Sequence, residues 1–371
     1  MIAKSLWIFI LLIIIPDLYI DFRYLRKYRW WWQLLWFVPG LLLVAGAVVL
    51  ALQRDFVPDN MLCVNLFLFF MGLLAIPKAV FSIASLCGKK GWKVGLALVP
   101  LLWFVLFYGS FVGNNRMEVR RVDLSFADLP ASFDGYRIAL FSDIHLGSMD
   151  KDFVQRAVDT LNALHADAIV FAGDIQNKQP SEIEPFQDML STLKARDGVY
   201  SVLGNHDYAE YIDLTPLEAY RNEGETVSRE GDMKWSLLMN DHRTIRRSDD
   251  YIVIAGMEND GEGRFPQLGD INNTLWGIST SQFVVMIEHD PSSWRRKILP
   301  HCHAQLTLSG HTHGMQFELF GYSPLALMGK EVDGLYKAGP RYLYVSKGLG
   351  GVVPFRFGAT PEIVVITLHC K

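Results

Sequence analysis

Cysteine is scarce in this chain of 371 residues. The four present, Cys63, Cys87, Cys302 and Cys370, are widely spread and follow no framework spacing, so they read as unpaired thiols rather than a disulfide scaffold. Excess positive charge is also missing. Lys and Arg number 35 against 39 Asp and Glu, a net charge of −4, and no global basic field invites nucleic acid. No internal repeat and no low-complexity tract appears, which excludes a repeat array. Nor is the chain short of apolar residues. With 50% hydrophobic residues, 10 Trp and 23 Phe, it cannot be a disordered polymer. What it has is more apolar sequence than one soluble domain uses.

The excess lies in the first 115 residues. Apolar runs cover Ser5–Ile20, Trp31–Leu52, Met61–Cys87 and Trp92–Val112, near or above the roughly 17–25 residues that a bilayer crossing needs. Pro16 and Asp17 interrupt the first run. A signal-like segment is the alternative there, but no small-residue cleavage site follows. Seven of the ten tryptophans fall in this region, several flanking the runs as interfacial anchors do. The reading is four spans, the first the weakest.

Arg23, Arg26, Lys27 and Arg29 occupy the first loop and Lys89, Lys90 and Lys93 the third, whereas the second has only Arg54. Positive charge favours the cytoplasmic side. The chain after the last span is therefore expected outside the cytoplasmic membrane; Arg116, Arg120 and Arg121 weigh against this. Asp17 and Lys78 are expected to be isolated and near span ends. The region then reads as an anchor and not as an ion path.

Residues 1–115 hold 10 basic and 4 acidic side chains, leaving 25 and 35 for residues 116–371, an acidic domain of net charge −10. There, short apolar runs alternate with amphipathic stretches, the pattern of a layered α/β architecture. Strands are expected at Tyr136–Phe141, Ala168–Ala172, Val199–Leu203, Tyr251–Gly256, Phe283–Ile287, Gln305–Leu308, Tyr342–Val345 and Glu362–Leu368. Helices are expected at Lys151–His165, Ser181–Arg196, Pro216–Arg221 and Pro291–Leu299. Arg221–Asp232 and Glu258–Gln267 read as charged or Gly-rich loops.

Five of these strands run into Asp, His or Asn. The segments are Ser142-Asp143-Ile144-His145, Gly173-Asp174, Gly204-Asn205-His206-Asp207, Glu288-His289-Asp290 and Ser309-Gly310-His311-Thr312-His313-Gly314. Carboxyl ends of strands are where α/β sheets gather their sites. Residues i and i+2 of an Asp-x-His pair face the same side. Asp, His and Asn are oxygen and nitrogen ligands suited to Mn, Fe or Zn. Seven candidate ligands are too many for one ordinary site. They suit two metals that share a carboxylate, about 3.5–4 Å apart.

This series resembles the calcineurin-like metallophosphoesterase superfamily, over about Tyr136 to Leu368. The stretches Leu343-Tyr344-Val345-Ser346-Lys347-Gly348-Leu349-Gly350, Pro354-Phe355-Arg356-Phe357 and Pro361-Glu362-Ile363 are similar to a bacterial branch of phosphodiesterases attached to, or exported across, the cytoplasmic membrane. The resemblance implies an α/β fold, a four-layer αββα sandwich of two mixed sheets flanked by helices, here preceded by an α-helical transmembrane region. It implies two divalent metal ions, one on Asp143, His145 and His313, the other on Asn205, His289 and His311, with Asp174 bridging. His206 would stand near the substrate, with Asp207 orienting its ring; a structural or ligand role for His206 is the alternative. Such a pair of metals supplies hydroxide near neutral pH. Met315 stands where the branch commonly has a second glycine, and Lys347 where it often has arginine, which leaves the substrate pocket's shape and charge open.

Several residues keep two readings. Phe317–Gly329 is an apolar rim for acyl chains or membrane, or an ordinary covered loop. Arg356 reaches a phosphate or makes an exposed salt bridge. His301 and His303 read as exposed loop residues. The functional expectation is a membrane-anchored phosphoesterase acting on a phosphomonoester, phosphodiester or pyrophosphate, with a phospholipid or cell-envelope component as partner and no nucleic acid. The alternatives are a non-catalytic metal-containing sensor or scaffold, a transport protein with an accessory domain, or, for an inward-facing domain, cleavage of a UDP-diacylglucosamine-type pyrophosphate.

Overall fold

The computed structural model describes residues 2–52 and 61–371, and the side chains from residue 6. The second loop, with Arg54, lies outside the described residues. The chain divides into two compact units, Met1–Val112 and Gly113–Lys371.

The first unit is helical: α1 (Ile2–Ile20), α2 (Trp30–Ala51), α3 (Met61–Phe70), α4 (Ile76–Leu86) and α5 (Gly91–Phe107). A single π turn, Met71–Ala75, joins α3 to α4, and α5 runs on through turns to Asn115. Trp30–Ala51, Met61–Leu86 and Gly91–Asn115 are long and apolar enough to cross a membrane, at 22, 26 and 25 residues. Many large side chains on their surfaces, such as Trp30, Leu42, Ile83 and Phe104, are both apolar and exposed, as lipid-facing residues are. Pro16, Pro39 and Pro100 lie inside helices, which neighbouring helices tolerate by re-satisfying freed backbone groups.

Asp17 and Lys78 are not isolated. Lys78 Nζ on α4 lies 2.6 Å from Asp17 Oδ1 on α1 and sits 4.3 Å from the centroid of the Trp36 ring on α2. Trp36 Nε1 donates to the Asp17 carbonyl at 3.2 Å. Gly40 makes the approach possible, since a Cβ there would fall 2.2 Å from Asp17 Oδ2. An ion pair therefore ties α1, α2 and α4 together.

The second unit holds two six-stranded sheets. Its strands are β1 (Glu118–Phe126), β2 (Tyr136–Phe141), β3 (Ala168–Phe171), β4 (Val199–Ser201), β5 (Ser236–Leu237), β6 (Asp241–Arg247), β7 (Asp250–Gly256), β8 (Phe283–Ile287), β9 (Leu306–Ser309), β10 (Gly334–Ala338), β11 (Arg341–Val345) and β12 (Glu362–Cys370). One sheet has the order β1-β12-β2-β3-β4-β5, the other β10-β11-β9-β8-β7-β6. Both are mixed: β2, β3 and β4 run parallel, as do β7, β8, β9 and β11, while β12–β2, β6–β7 and β10–β11 pair antiparallel.

The contiguous apolar runs follow from burial on both faces. Successive side chains on a strand point to opposite sides. Ile138 and Leu140 thus join Val285, Ile287, Leu306 and Val364 in the core between the sheets. Ala139 and Phe141 face outward onto Phe153, Val154, Ala157 and Leu161 of α6 (Lys151–Ala163). Val284 and Met286 face the other way, onto Trp294 and Ile298. Three cores separate four layers, helix, sheet, sheet, helix.

Two expectations are corrected. Ser181–Arg196 is not one helix; it breaks into two 3₁₀ turns and the short α7 (Gln187–Leu190). Arg221–Asp232 is not a loop, because α8 runs from Pro216 to Asp232. Thr215 caps it in a box with Glu218, and Thr226 and Glu230, four residues apart, turn inward as one buried stripe. The helix expected at Pro291–Leu299 is present, running over residues 292–301 with a π turn at Trp294–Ile298 and ending in the short α10 (Leu299–His301).

Candidate metal centre

All seven candidate ligands lie just past inner strands of the two sheets. Asp143 and His145 follow β2, Asp174 follows β3 and Asn205 follows β4; His289 follows β8, and His311 and His313 follow β9. Backbone bonds within a sheet and side-chain-to-backbone bonds between the sheets register these ends. Asp143 N donates to the Gly173 carbonyl at 2.9 Å, and His311 N to Asp143 Oδ1 at 2.9 Å. His289 Nδ1 meets the Ala172 carbonyl at 2.6 Å, across the sandwich.

Five of the seven have positive φ: Asp143, His145, Asp174, His311 and His313, between 50° and 73°. Non-glycine residues rarely adopt this conformation, which costs on the order of 1–3 kcal/mol each where it is strained and which collects at functional sites. Here it turns each side chain sharply off its strand and toward the other donors. Gly204 provides the room, since a Cβ there would lie 2.2 Å from Asp174 Oδ1.

The donor atoms form two groups that share one residue. Asp143, His145, Asp174 and His313 converge in one, and Asp174, His289 and His311 in the other, with the ligand atoms of each group within 4.8 Å of one another. Asp174 Oδ2 lies 3.5 Å from His145 Nε2 and 3.3 Å from His289 Nε2. His313 Nε2 is 3.4 Å from Asp143 Oδ1. Asn205 Oδ1 joins the second group, 3.2 Å from His289 Nε2 and 2.6 Å from His311 Nδ1.

The chemistry of this donor set fits divalent cations. His313 Nδ1 is spent on the Gly350 carbonyl at 3.1 Å and His289 Nδ1 on Ala172, so both Nε2 atoms face inward. His145 Nε2 lies 3.3 Å from His313 Nε2. Burial, reinforced by His206, pushes His145 down to about 3, and burial with His145 holds His313 well below the usual range. Both rings are thereby kept neutral, the state in which an imidazole nitrogen serves as a metal ligand. Burial pushes Asp143 up to about 7, with the Asp174 carboxylate adding to it. For Asp174 burial acts in the same direction, but His289 and His206 outweigh it and hold the carboxyl ionised.

His206 stands outside both groups. Its Nδ1 meets the Asn177 carbonyl at 2.6 Å, and its ring stacks on Tyr211 with centroids 4.0 Å apart. Asp207 does not orient that ring. Its carboxylate accepts backbone N–H from Asp174, Ile175, Gln176 and Gly204 at 2.8–3.3 Å, and so pins the β3 and β4 loops together. Asn177 fixes the ring instead.

Three contacts escaped sequence reasoning. Tyr211 Oη accepts from Asn205 Nδ2 at 2.6 Å. Asp290 Oδ2 lies 3.5 Å from His311 Nε2, and Phe265 packs edge-on against His311. Asp290 was signalled by its place after His289; nothing in the sequence marks Tyr211 or Phe265. Arg356 is fully buried rather than exposed. It donates to the carbonyls of Gly350 at 2.5 Å and Ala359 at 3.1 Å, behind His313. The Lys347 ammonium is taken by Glu318 at 2.9 Å. His301 is exposed, His303 is half-buried, and neither joins a metal group.

Comparison with known proteins gives a family model described as calcineurin-like phosphoesterase, matching residues 136–315. A Bacillus subtilis metallophosphoesterase, YkuE, is 30% identical over 70% of this chain and 88% of its own length. A Campylobacter jejuni metallophosphoesterase, Cj0846, is 27% identical over 98% of both chains. A transmembrane protein with metallophosphoesterase domain from Danio rerio is 31% identical over 70% of this chain, which spans 59% of that relative's length. On this similarity the chain belongs to the calcineurin-like phosphoesterase family.

Proposed function

We propose that the protein is a membrane-anchored, two-metal phosphoric ester hydrolase of the cytoplasmic membrane, its Gly113–Lys371 unit on the outer side. The proposed substrate is a phosphodiester, phosphomonoester or pyrophosphate of a lipid or cell-envelope component. The observation that carries this reading is the single carboxylate, Asp174, common to two groups of donor atoms. Asp143, His145, Asp174 and His313 would hold one divalent ion, and Asp174, Asn205, His289 and His311 the other, with Mn, Fe and Zn all suited to these donors. When bound, such a pair neutralises phosphoryl oxygens and supplies hydroxide near neutral pH.

The remaining work falls to this chain's own groups. With its Nδ1 proton on the Asn177 carbonyl, His206 has Nε2 as its titrating atom. Burial lowers the ring's affinity for a second proton. An arriving phosphoryl anion acts in the opposite sense, so His206 protonates as substrate binds and can pass that proton to the leaving oxygen. Tyr211 holds the ring flat and steadies Asn205.

Full-length protein purified with Mn²⁺ is expected to hydrolyse a generic aryl phosphate or phosphodiester, and Asp174→Ala and Asn205→Ala to abolish that turnover. Undiminished turnover in either variant would refute the two-metal reading. A C-terminal reporter fusion active only outside the cytoplasm tests the orientation.

A further inference from the structure

Exposed large apolar side chains in the Gly113–Lys371 unit are few outside one loop: Leu217 and Tyr220 one turn apart on α8, and Leu268, Trp276 and Leu335 singly. Within residues 315–328, Phe320 is 92% exposed, Leu327 79% and Met328 72%, with Met315, Leu319 and Tyr322 also exposed. Contiguous exposed apolar surface of this kind marks an interaction site. The segment begins two residues beyond His313, so it stands at the border of the metal centre.

This loop is built, not slack. Glu318 at its base pairs with Lys347, and Glu318 N donates to the Phe357 carbonyl at 2.7 Å. Phe357 N returns a bond to the Gln316 carbonyl at 2.9 Å, and the Phe317 and Phe357 rings stack. Leu319 and Tyr322 exchange backbone bonds at 3.0 and 3.1 Å, closing a tight turn with Phe320 at its tip. Phe320 has a φ of +55°, an outlier conformation for a bulky residue. The turn thus holds the Phe320 ring out from the domain surface in a strained backbone conformation.

We propose that residues 315–329 are a bilayer-docking rim: the Leu319–Tyr322 turn and the Leu327–Met328 pair sit at the headgroup–acyl boundary and bring a lipid-borne phosphoester to the metal centre. This rests on the hydrolase reading above and names its substrate class. Two observations select a bilayer as the occupant. From Leu319 to Gly329 the loop carries no charged residue, and it combines Phe and Tyr with Leu and Met, the composition that partitions to the membrane interface. The same chain carries three helices able to cross a bilayer, and only Arg116 and Met117 separate the last of them from β1. So short a tether keeps the domain within reach of lipid at high effective concentration.

The test uses the full chain in lipid nanodiscs, with its four cysteines replaced by alanine and an environment-sensitive fluorophore attached through Phe320→Cys or Leu327→Cys. Trp276→Cys, at a residue 80% exposed elsewhere in the unit, is the control. Labels at 320 and 327 are expected to emit at shorter wavelength and to be quenched by doxyl-labelled phospholipid about threefold more than the label at 276. Quenching no greater than the control's overturns the proposal. A short-wavelength emission that persists in lipid-free amphipol also overturns it, because another protein surface, such as a second copy, then covers the loop. Quenching requires no turnover, so this result stands or falls separately from hydrolysis of an aryl phosphate.

Discussion

Asp174 uses its two oxygens differently: Oδ1 accepts the His206 amide at 2.9 Å, while Oδ2 faces His145 and His289. One residue thus couples the donor cluster to the group proposed to handle the proton. Because His206 belongs to neither donor group, His206→Gln is expected to lower kcat by about 10²–10⁴-fold while leaving bound Mn²⁺, measured by mass spectrometry, at the wild-type level. Burial also shapes stability away from the site. Glu230 accepts from Ser201 Oγ at 2.5 Å, and burial pushes its carboxyl up to about 8. Its folded-state value therefore lies above the unfolded value of about 4.3. The stability it contributes is complete below that unfolded value and is lost as pH rises through about 8. Glu230→Gln should flatten the alkaline limb and raise Tm at pH 9 by about 2–4 °C or more, read by thermal unfolding between pH 5 and 9.

At the scale of elements, what sequence patterning hides is edge structure and inward polar stripes. Strands β2 and β8 were legible because both faces are buried and their sequences are continuously apolar. Strands β1 and β6 are edges, and Glu118–Phe126 and Asp241–Arg247 carry the charges that edge strands use to discourage further pairing. The part of α8 beyond Arg221 reads as a loop because Gly224 and Gly231 punctuate it and its inward residues, Thr226 and Glu230, are polar. In the helical unit the ion pair of Asp17 and Lys78 has the same lesson, since 61 residues separate its members in the chain. Lys78→Met strands a buried carboxylate and is expected to destabilise that unit by about 3–5 kcal/mol, whereas Lys78→Met together with Asp17→Leu should be markedly milder. Thermal unfolding of the full chain in detergent, followed by circular dichroism, distinguishes the two.

For the whole molecule, the net charge of −4 averages over a basic helical region and an acidic sandwich. The donor cluster draws on both sheets of the sandwich, so a cation held there would cross-link them. Anything that binds only the folded state stabilises it in proportion to the logarithm of its concentration over Kd. Chelation with EDTA is therefore expected to lower the Tm of the sandwich by several degrees, about 2–4 °C for each kcal/mol lost, and Mn²⁺ should restore it. Asp174→Ala should abolish that response, since both donor groups lose their shared ligand. Calorimetry with and without chelator reads the effect directly.

The sequence by itself determined the partition into an apolar helical region and an α/β domain, because apolar run length and strand burial are local, additive properties. The seven candidate donor residues were also legible there, because all of them follow strands and chemical type survives without coordinates. Tertiary structure decided what depends on distance between remote segments. The meeting of His145 with His313, and of Asp174 with His289, from opposite sheets is of this kind, as are the assignment of the His206 ring to Asn177 instead of Asp207 and the burial of Arg356. Exposure of the 315–329 loop is decided there as well: the same apolar letters would serve a covered loop, and only the fold leaves Phe320 standing in the open.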